Sequence, residues 1–180
     1  NTDFFGKKFS DKMKNKYGTF DLITANNVFA HSPHLYDFSQ GVKNLLSDKG
    51  TFVFEVSYLP TVLKKKTFDT IYHEHMSYHS LKPLVNFFKM QNLQVFDFEL
   101  IEAQGGSLRV FVSHLKSYHV KKNKINKQIK REIDQGLFTK KKYKDFFKEI
   151  IETKIRLNKI IKNLKKNKFK IIGYGAPAKL

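Results

Sequence analysis

The chain has 180 residues, no cysteine and 41% hydrophobic residues, with 18 Phe and 8 Tyr, a composition typical of a folded domain rather than a disordered segment. The absence of cysteine excludes disulfides and thiolate zinc sites formed within the chain. The net charge is +18, and residues 116–170 hold 20 of the 34 Lys and Arg but only 5 of the 16 Asp and Glu, so the positive charge is concentrated in the second half.

Nearly all of this excess is Lys, a hydrated point charge that forms solvated helix faces more often than it recognises base edges. A nucleic-acid-binding module is therefore only the non-enzymatic alternative. It ranks lower because the aromatic residues of this segment follow the spacing of a helix core. Burial of Tyr143, Phe146 and Phe147 would support that ranking.

The longest apolar stretches of the chain are much shorter than the ~20 residues that are needed to span a bilayer. The chain also begins without the pattern of a signal peptide. We therefore expect a cytoplasmic protein that makes no membrane contact.

The first half of the chain predicts a strand–helix–strand unit. "FDLITANNVF" predicts a buried strand that ends in a loop, residues 35–46 have the apolar spacing of a helix that stops by Gly50, and "TFVFEVSYL" predicts a second buried strand. Ligands bind beyond the carboxyl ends of such parallel strands. Residues 25–31 and 57–60 are therefore predicted to border a binding site.

The second half predicts a loop, an antiparallel pair and helices. Residues 61–80 are polar and loop-like, and the helix that follows has Pro83 in its first turn. Residues 93–115 predict two antiparallel strands, and the periodicity across 121–166 predicts two helices separated near 134–138. The terminal "KFKIIGYGAPAKL" predicts a strand that enters a glycine-containing loop.

The segment "IYHEHMSYHS", residues 71–80, concentrates titratable side chains. His73, His75 and His79 with Glu74 could bind a metal ion, although the spacing is not the HExxH of zinc proteases. Alternatively, one histidine is a general base, because an imidazole titrates near ~6.5. An adjacent carboxylate could orient such a base. The third possibility is a hydrogen-bonded aromatic loop, and spacing alone does not choose among the histidines.

Two further segments contain candidate ligand-binding residues. In "ANNVFAHSPH", Asn26 and Asn27 could hydrogen-bond a polar cofactor, or the segment could be a turn with Ser32 capping a helix. In "GGSLR", the two glycines indicate a hairpin turn, and Arg109 is either an exposed strand charge or a phosphate clamp. The Gly-x-Gly of "GYGAPAK" is weak evidence for a phosphate loop.

Taken in order, "FDLITANNVFAH", "GTFVFEVSYL", "FDTIYHEHMSYHSL", "GGSLRVFV" and "GYGAPAK" resemble the S-adenosylmethionine-dependent sugar C-methyltransferases, which methylate carbon 3 of nucleotide-linked 4-keto deoxysugars. The resemblance implies an α/β fold: part of a Rossmann-like class I methyltransferase sheet, then a helical connection into a second Rossmann-like domain. Residues 1–115 would be the C-terminal part of the methyltransferase domain, 116–166 the connector and 167–180 the start of the second domain. Zinc is expected only in a segment upstream, and these residues alone are expected to be inactive.

By its place in the YHEH motif, His75 corresponds to the family's proposed base. The ketone acidifies the neighbouring carbon, so His75 would form an enolate that attacks the methyl group of S-adenosylmethionine. The other candidate site residues are catalytic Glu74, Tyr72 and His31, cofactor-binding Asn26 and Asn27, and substrate-binding Arg109 and Tyr174.

The expected partner is a nucleotide-linked keto sugar. We expect no resident metal in this chain, no membrane contact and no nucleic acid, and the sequence predicts no oligomeric state. An O- or N-methyltransferase for another small molecule is the alternative enzyme.

Overall fold

The structure of the protein, a computed structural model, describes residues 4–175, in which four strands form one sheet. The strands are β1 (Phe20–Asn26), β2 (Leu46–Ser57), β3 (Leu93–Ile101) and β4 (Ser107–His114), and the helices are α1 (Lys7–Tyr17), α2 (Leu35–Leu45), α3 (Leu59–Lys65), α4 (Leu81–Met90), α5 (Lys122–Asp134) and α6 (Lys140–Lys166). Short 3-10 turns cover Phe29–His31, Phe68–Thr70 and Ala103–Gly105.

The sheet has the order β1-β2-β4-β3. Strand β1 runs parallel to β2, and β4 runs antiparallel to both β2 and β3. The predicted strand–helix–strand unit and the predicted antiparallel pair are thus joined in one sheet, and the α/β fold is confirmed. Because β4 is antiparallel, its first residue lies at the same edge as the carboxyl ends of β1 and β2.

The core lies on one face of this sheet. Phe52, Phe54 and Val56 of β2 are buried together with every second residue of β4, while the intervening Val53 and Glu55 are only half buried. Helices α2 and α4 cover the buried face, and their apolar stripes belong to the same cluster. The apolar sequence of β2 predicted burial on both faces of the sheet. In the structure, buried and half-buried residues alternate along β2, because only one face of the strand is fully covered.

The prediction that β1 is buried is wrong. Ala25 is the one buried residue among its seven, and Leu22 is 61% exposed. The reason is that β1 lies at the edge of the described sheet, with β2 as its only neighbour. The apolar sequence of β1 is compatible with burial. Whether its residues are exposed depends on whether a second strand lies beside it, which the sequence of β1 does not show.

Three predicted boundaries also differ from the structure. Helix α2 continues into β2 without a loop, since Leu45 ends the helix and Leu46 already pairs with Phe20. Helix α3 lies in the predicted loop, where it begins with Pro60 in its first turn. Residues 167–175 are neither helix nor strand, because a strand requires a partner for its backbone groups. The remainder of that predicted segment, residues 176–180, lies outside the described residues.

Helix α5 is attached to β3 by an ion-pair cluster around Asp97. The carboxylate accepts hydrogen bonds from Lys121 Nζ at 2.6 Å and Lys124 Nζ at 2.7 Å. Burial acts to raise the pKa of Asp97, but hydrogen bonds from the two lysines and from the Phe98 amide outweigh it and lower the pKa. Ile125, one turn further, joins the main core, so α5 packs as part of the same body.

Helix α6 packs less closely. Phe146 is buried against Leu63 and Leu137, but Tyr143 is 42% and Phe147 63% exposed. Burial of all three aromatic residues would have favoured a core helix. Since only Phe146 is buried, this check does not distinguish a core helix from a basic binding face. None of the described helices combines the length and the apolar character that crossing a membrane requires.

Gly106 has a backbone conformation that side chains rarely adopt, with φ of 123°. A Cβ atom there would lie 2.5 Å from Thr61 Cγ2 of α3, and Thr61 is stiff because it is β-branched. We expect Gly106→Ala to lower the free energy of unfolding by about 3 kcal/mol and Gly105→Ala, which meets open space, by about 1 kcal/mol. Urea denaturation of both variants measures the difference, and equal losses would contradict the proposed contact.

Candidate active site

The segments predicted to border a site meet at one edge of the sheet. Tyr58, directly after β2, pairs with His79 in an isolated parallel bridge. Its amide donates to Gly106 O at 3.2 Å, and the Leu59 amide donates to His79 O at 2.9 Å. The end of β2, the β3–β4 turn and residues 71–80, named the His loop from here on, are thereby joined.

The His loop is also attached to the segment that follows β1. The amides of Met76 and Ser77 donate to Ala30 O at 3.0 and 3.3 Å. This contact brings His31 against His75, with ring centroids 4.9 Å apart and planes at 75°. The Tyr72 ring lies 4.7 Å from His75. The structure therefore places His31 and Tyr72 directly against His75, and Glu74 joins the group through Tyr72.

The backbone determines which nitrogen of His75 carries a proton. His75 Nδ1 lies 2.8 Å from Thr70 O, and a carbonyl oxygen can only accept a hydrogen bond. Nδ1 must therefore donate, which leaves the lone pair of the neutral ring on Nε2. His75 is half buried, so this arrangement provides an oriented imidazole with one nitrogen available to accept a proton.

The other two histidines of the loop have different environments. His79 is buried at 6% exposure with its ring 5.4 Å from Phe29, and its Nε2 lies 2.9 Å from Ser77 Oγ. Burial lowers the pKa of His79 to about 4, so it is neutral near pH 7 and belongs to the packing of the loop. His73 is exposed beside Tyr72. Of the three, His75 has the geometry of a base.

Glu74 does not take the role of orienting the imidazole that an adjacent carboxylate could have. Its Oε2 accepts a hydrogen bond from Tyr72 OH at 3.2 Å, and the Thr70 carbonyl holds the His75 ring instead. Within residues 4–175, no group of three or more His, Asp or Glu side chains is arranged to hold a metal ion. The described His loop is therefore compatible with two of the three interpretations, a general base and a hydrogen-bonded aromatic loop. Its side chains are not arranged as a set of metal ligands.

Asn26 and Asn27 lie at the same edge with exposed side chains. Asn27 has φ of 54°, and its amide donates to Glu55 O at 3.1 Å, which ends β1 and turns the chain toward His31. The two side-chain amides and the half-exposed Val28 provide hydrogen-bonding and apolar groups side by side.

Arg109 lies between two carboxylates. It faces Glu55 on β2 and Glu99 on β3 in the sheet register, and it donates to them at 2.7 and 3.1 Å. The triplet carries a net negative charge, which would repel a phosphate, so the geometry supports the alternative that Arg109 is a sheet charge. Tyr174 is fully exposed among residues without secondary structure.

Glu132 belongs to no motif that the sequence shows. This carboxylate of α5 is fully buried and receives hydrogen bonds from Tyr58 OH and from the first amides of α4, directly after the His loop. The available signal was its position on the apolar face of α5, one and two turns after Ile129 and Ile125, which pack with the core. A carboxylate in that register requires donors from elsewhere.

The chain is similar to known proteins in sequence and, in part, in structure. Residues 102–180 match the family model described as C-methyltransferase C-terminal domain. The chain is 30% identical over 175 residues to C-methyltransferase NovU of Streptomyces niveus, an alignment that covers 97% of this chain and 42% of that relative. The chain therefore spans less than half the length of this curated relative.

Solved methyltransferase structures resemble the chain in part. Magnesium protoporphyrin IX methyltransferase (ChlM) of Synechocystis PCC 6803, solved with bound SAH, has a TM-score of 0.41 and 9% identity, over 53% of this chain and 45% of that one. A SAM-dependent methyltransferase of Anabaena variabilis ATCC 29413 has a TM-score of 0.45 and 10% identity, over 61% and 55%.

The buried His79 generates a prediction about acid stability. Its pKa is about 4 in the folded protein and near ~6.5 when unfolded, so below pH 6.5 the unfolded state binds more protons and stability falls. Between pH 7 and pH 5 we expect a loss of about 2 kcal/mol that is absent in His79→Gln. Urea denaturation at both pH values provides the measurement. An unchanged pH dependence in His79→Gln would assign the loss to other groups.

Proposed function

We propose that this chain is part of a cytoplasmic C-methyltransferase of deoxysugar biosynthesis, which uses S-adenosylmethionine to methylate C3 of a nucleotide-linked 4-keto-6-deoxy sugar. The match of residues 102–180 to the C-methyltransferase family model and the likeness to NovU support the proposal. One observation carries the proposal. At the carboxyl edge of the parallel strands, His75 is held through Nδ1 by Thr70 O, with Nε2 available as a base.

The chemistry follows from the carbonyl group of such a sugar. A ketone at C4 acidifies the hydrogen on C3, and His75 Nε2 removes that proton while the C–H electron pair moves to form the enolate. The proton that His75 gains is stabilised because the Thr70 carbonyl already accepts from Nδ1. S-adenosylmethionine, when bound, supplies the electrophilic methyl group. C3 of the enolate would form the new carbon–carbon bond with that methyl group while the methyl–sulfur bond breaks, so that the sulfonium would leave as the neutral thioether S-adenosylhomocysteine.

The developing charge on the enolate oxygen requires a hydrogen-bond donor. His31 is the first candidate, because its ring touches His75. Tyr72 OH is the second candidate, and it would exchange its bond with Glu74 for one with substrate. Asn26 and Asn27 are proposed to hydrogen-bond the cofactor.

The direct test uses the full-length protein with S-adenosylmethionine and a nucleotide-linked 4-keto-6-deoxy sugar, followed by mass spectrometry. We expect the wild-type protein to give a product heavier by one methyl group. The rate should be at least about 100-fold lower in His75→Gln, because general-base catalysis contributes a factor of this order. His73→Gln should keep nearly full activity. The last variant is the matched control, since His73 lies in the same loop but is exposed. Equal activity in the two variants would remove His75 from the base role.

A second experiment separates carbon methylation from oxygen or nitrogen methylation. Removal of a carbon-bound proton allows exchange with solvent, whereas methylation of a hydroxyl or amine does not require it. In deuterated water without cofactor, we expect the wild-type protein to incorporate deuterium at C3 of the sugar, and His75→Gln to do so at a much lower rate. If the protein transfers methyl groups but no deuterium enters C3 of the sugar, methylation of oxygen or nitrogen would be favoured instead.

A further inference from the structure

Glu132 combines complete burial with a negative charge. Its Oε1 accepts hydrogen bonds from Tyr58 OH at 2.8 Å and from the Leu81 amide at 2.7 Å, and its Oε2 accepts from the Lys82 amide at 3.0 Å. Removing a carboxylate from water is unfavourable unless donors replace the lost hydration. The three donors come from the end of β2 and the start of α4, so they locate α5 against both elements.

The carboxylate also caps a helix to which it does not belong. The first amides of a helix have no partner within the helix, and the helix dipole favours a negative charge there. Ser80, the residue in the cap position of α4, makes no side-chain cap hydrogen bond. Glu132 takes over this role from α5, and α4 begins at the residue that follows the His loop.

A second residue of α5 orients the phenol of Tyr58. Gln128 Nε2 donates to Tyr58 OH at 2.7 Å, so the phenol oxygen accepts from Gln128 and its hydrogen is directed to Glu132. Burial raises the pKa of Tyr58, which keeps the phenol protonated. Tyr58 in turn pairs with His79 through the backbone, so the contact reaches the His loop directly.

The His loop is thus held at three places: at Thr70 near its start, at Ala30 in its middle and at Tyr58 and Leu81 at its end. We propose that Glu132 is a positioning residue for the reaction, which fixes the end of the His loop and through it the orientation of His75. The effect on catalysis rests on the proposed function. The effect on the His75 ring does not, because it concerns the geometry alone.

The kinetic test compares three variants of the full-length protein. Glu132→Gln retains one accepting oxygen, but its NH2 group cannot accept from a backbone amide. We expect kcat to fall at least tenfold with the KM for S-adenosylmethionine within twofold of wild type. Tyr58→Phe removes one of three donors and should lie between Glu132→Gln and wild type. Phe146→Ala, destabilised in the separate cluster with Leu63 and Leu137, is the control and should keep kcat within twofold.

The second measurement is nitrogen NMR of the histidine rings. In the wild-type protein, His75 should carry its proton on Nδ1, and in Glu132→Gln its signals should move toward a mixture of the two tautomers. An unchanged His75 signal, a kcat of Glu132→Gln above half that of wild type, or an equal loss of kcat in Phe146→Ala would each overturn the proposal. If Glu132→Gln does not fold, Tyr58→Phe decides: a kcat equal to that of wild type together with an unchanged His75 signal would overturn the proposal. If the wild-type protein transfers no methyl group, the proposed function fails, while the NMR comparison still decides on Glu132.

Discussion

A buried carboxylate must be met by hydrogen-bond donors, and the arrangement around Glu132 follows from this requirement. A phenol and two backbone amides surround it, so the end of β2, the start of α4 and the last turn of α5 have to meet at one point. The His loop leads directly into α4, and its His79 pairs with Tyr58 at the end of β2. Its closing end is therefore determined by an electrostatic constraint rather than by the sequence of the loop itself.

Within the loop, histidines four residues apart have opposite environments. His79 is enclosed against Phe29 and stays neutral, while His75 is half buried with one nitrogen bonded to the backbone. The enclosed ring contributes packing, and the half-buried ring keeps an unshared electron pair available. A site that removes a proton from carbon requires both, because an accurately placed base depends on surroundings that do not move.

The sequence predicted the features that depend on local periodicity: helices α2, α4 and α5, the parallel pair and the antiparallel pair. It did not predict the exposure of β1, because an apolar strand looks the same at the edge and in the middle of a sheet. The choice between His75 and His79 depended on a carbonyl and on a neighbouring aromatic ring, neither of which spacing reveals. The Glu132 contact joins residues separated by 74 and by 51 positions, and no sequence motif marks it.

That long separation has a consequence for biosynthesis. A polypeptide leaves the ribosome from its amino end, and domains generally fold in that order. The histidines are complete long before Glu132 has been made, so the nascent loop lacks its last anchor until the whole sheet and most of α5 have emerged. The contacts at the closing end of the His loop are consequently among the last features of this region to form during translation, and a chain interrupted before residue 132 would carry the YHEH motif without the Glu132 hydrogen bonds.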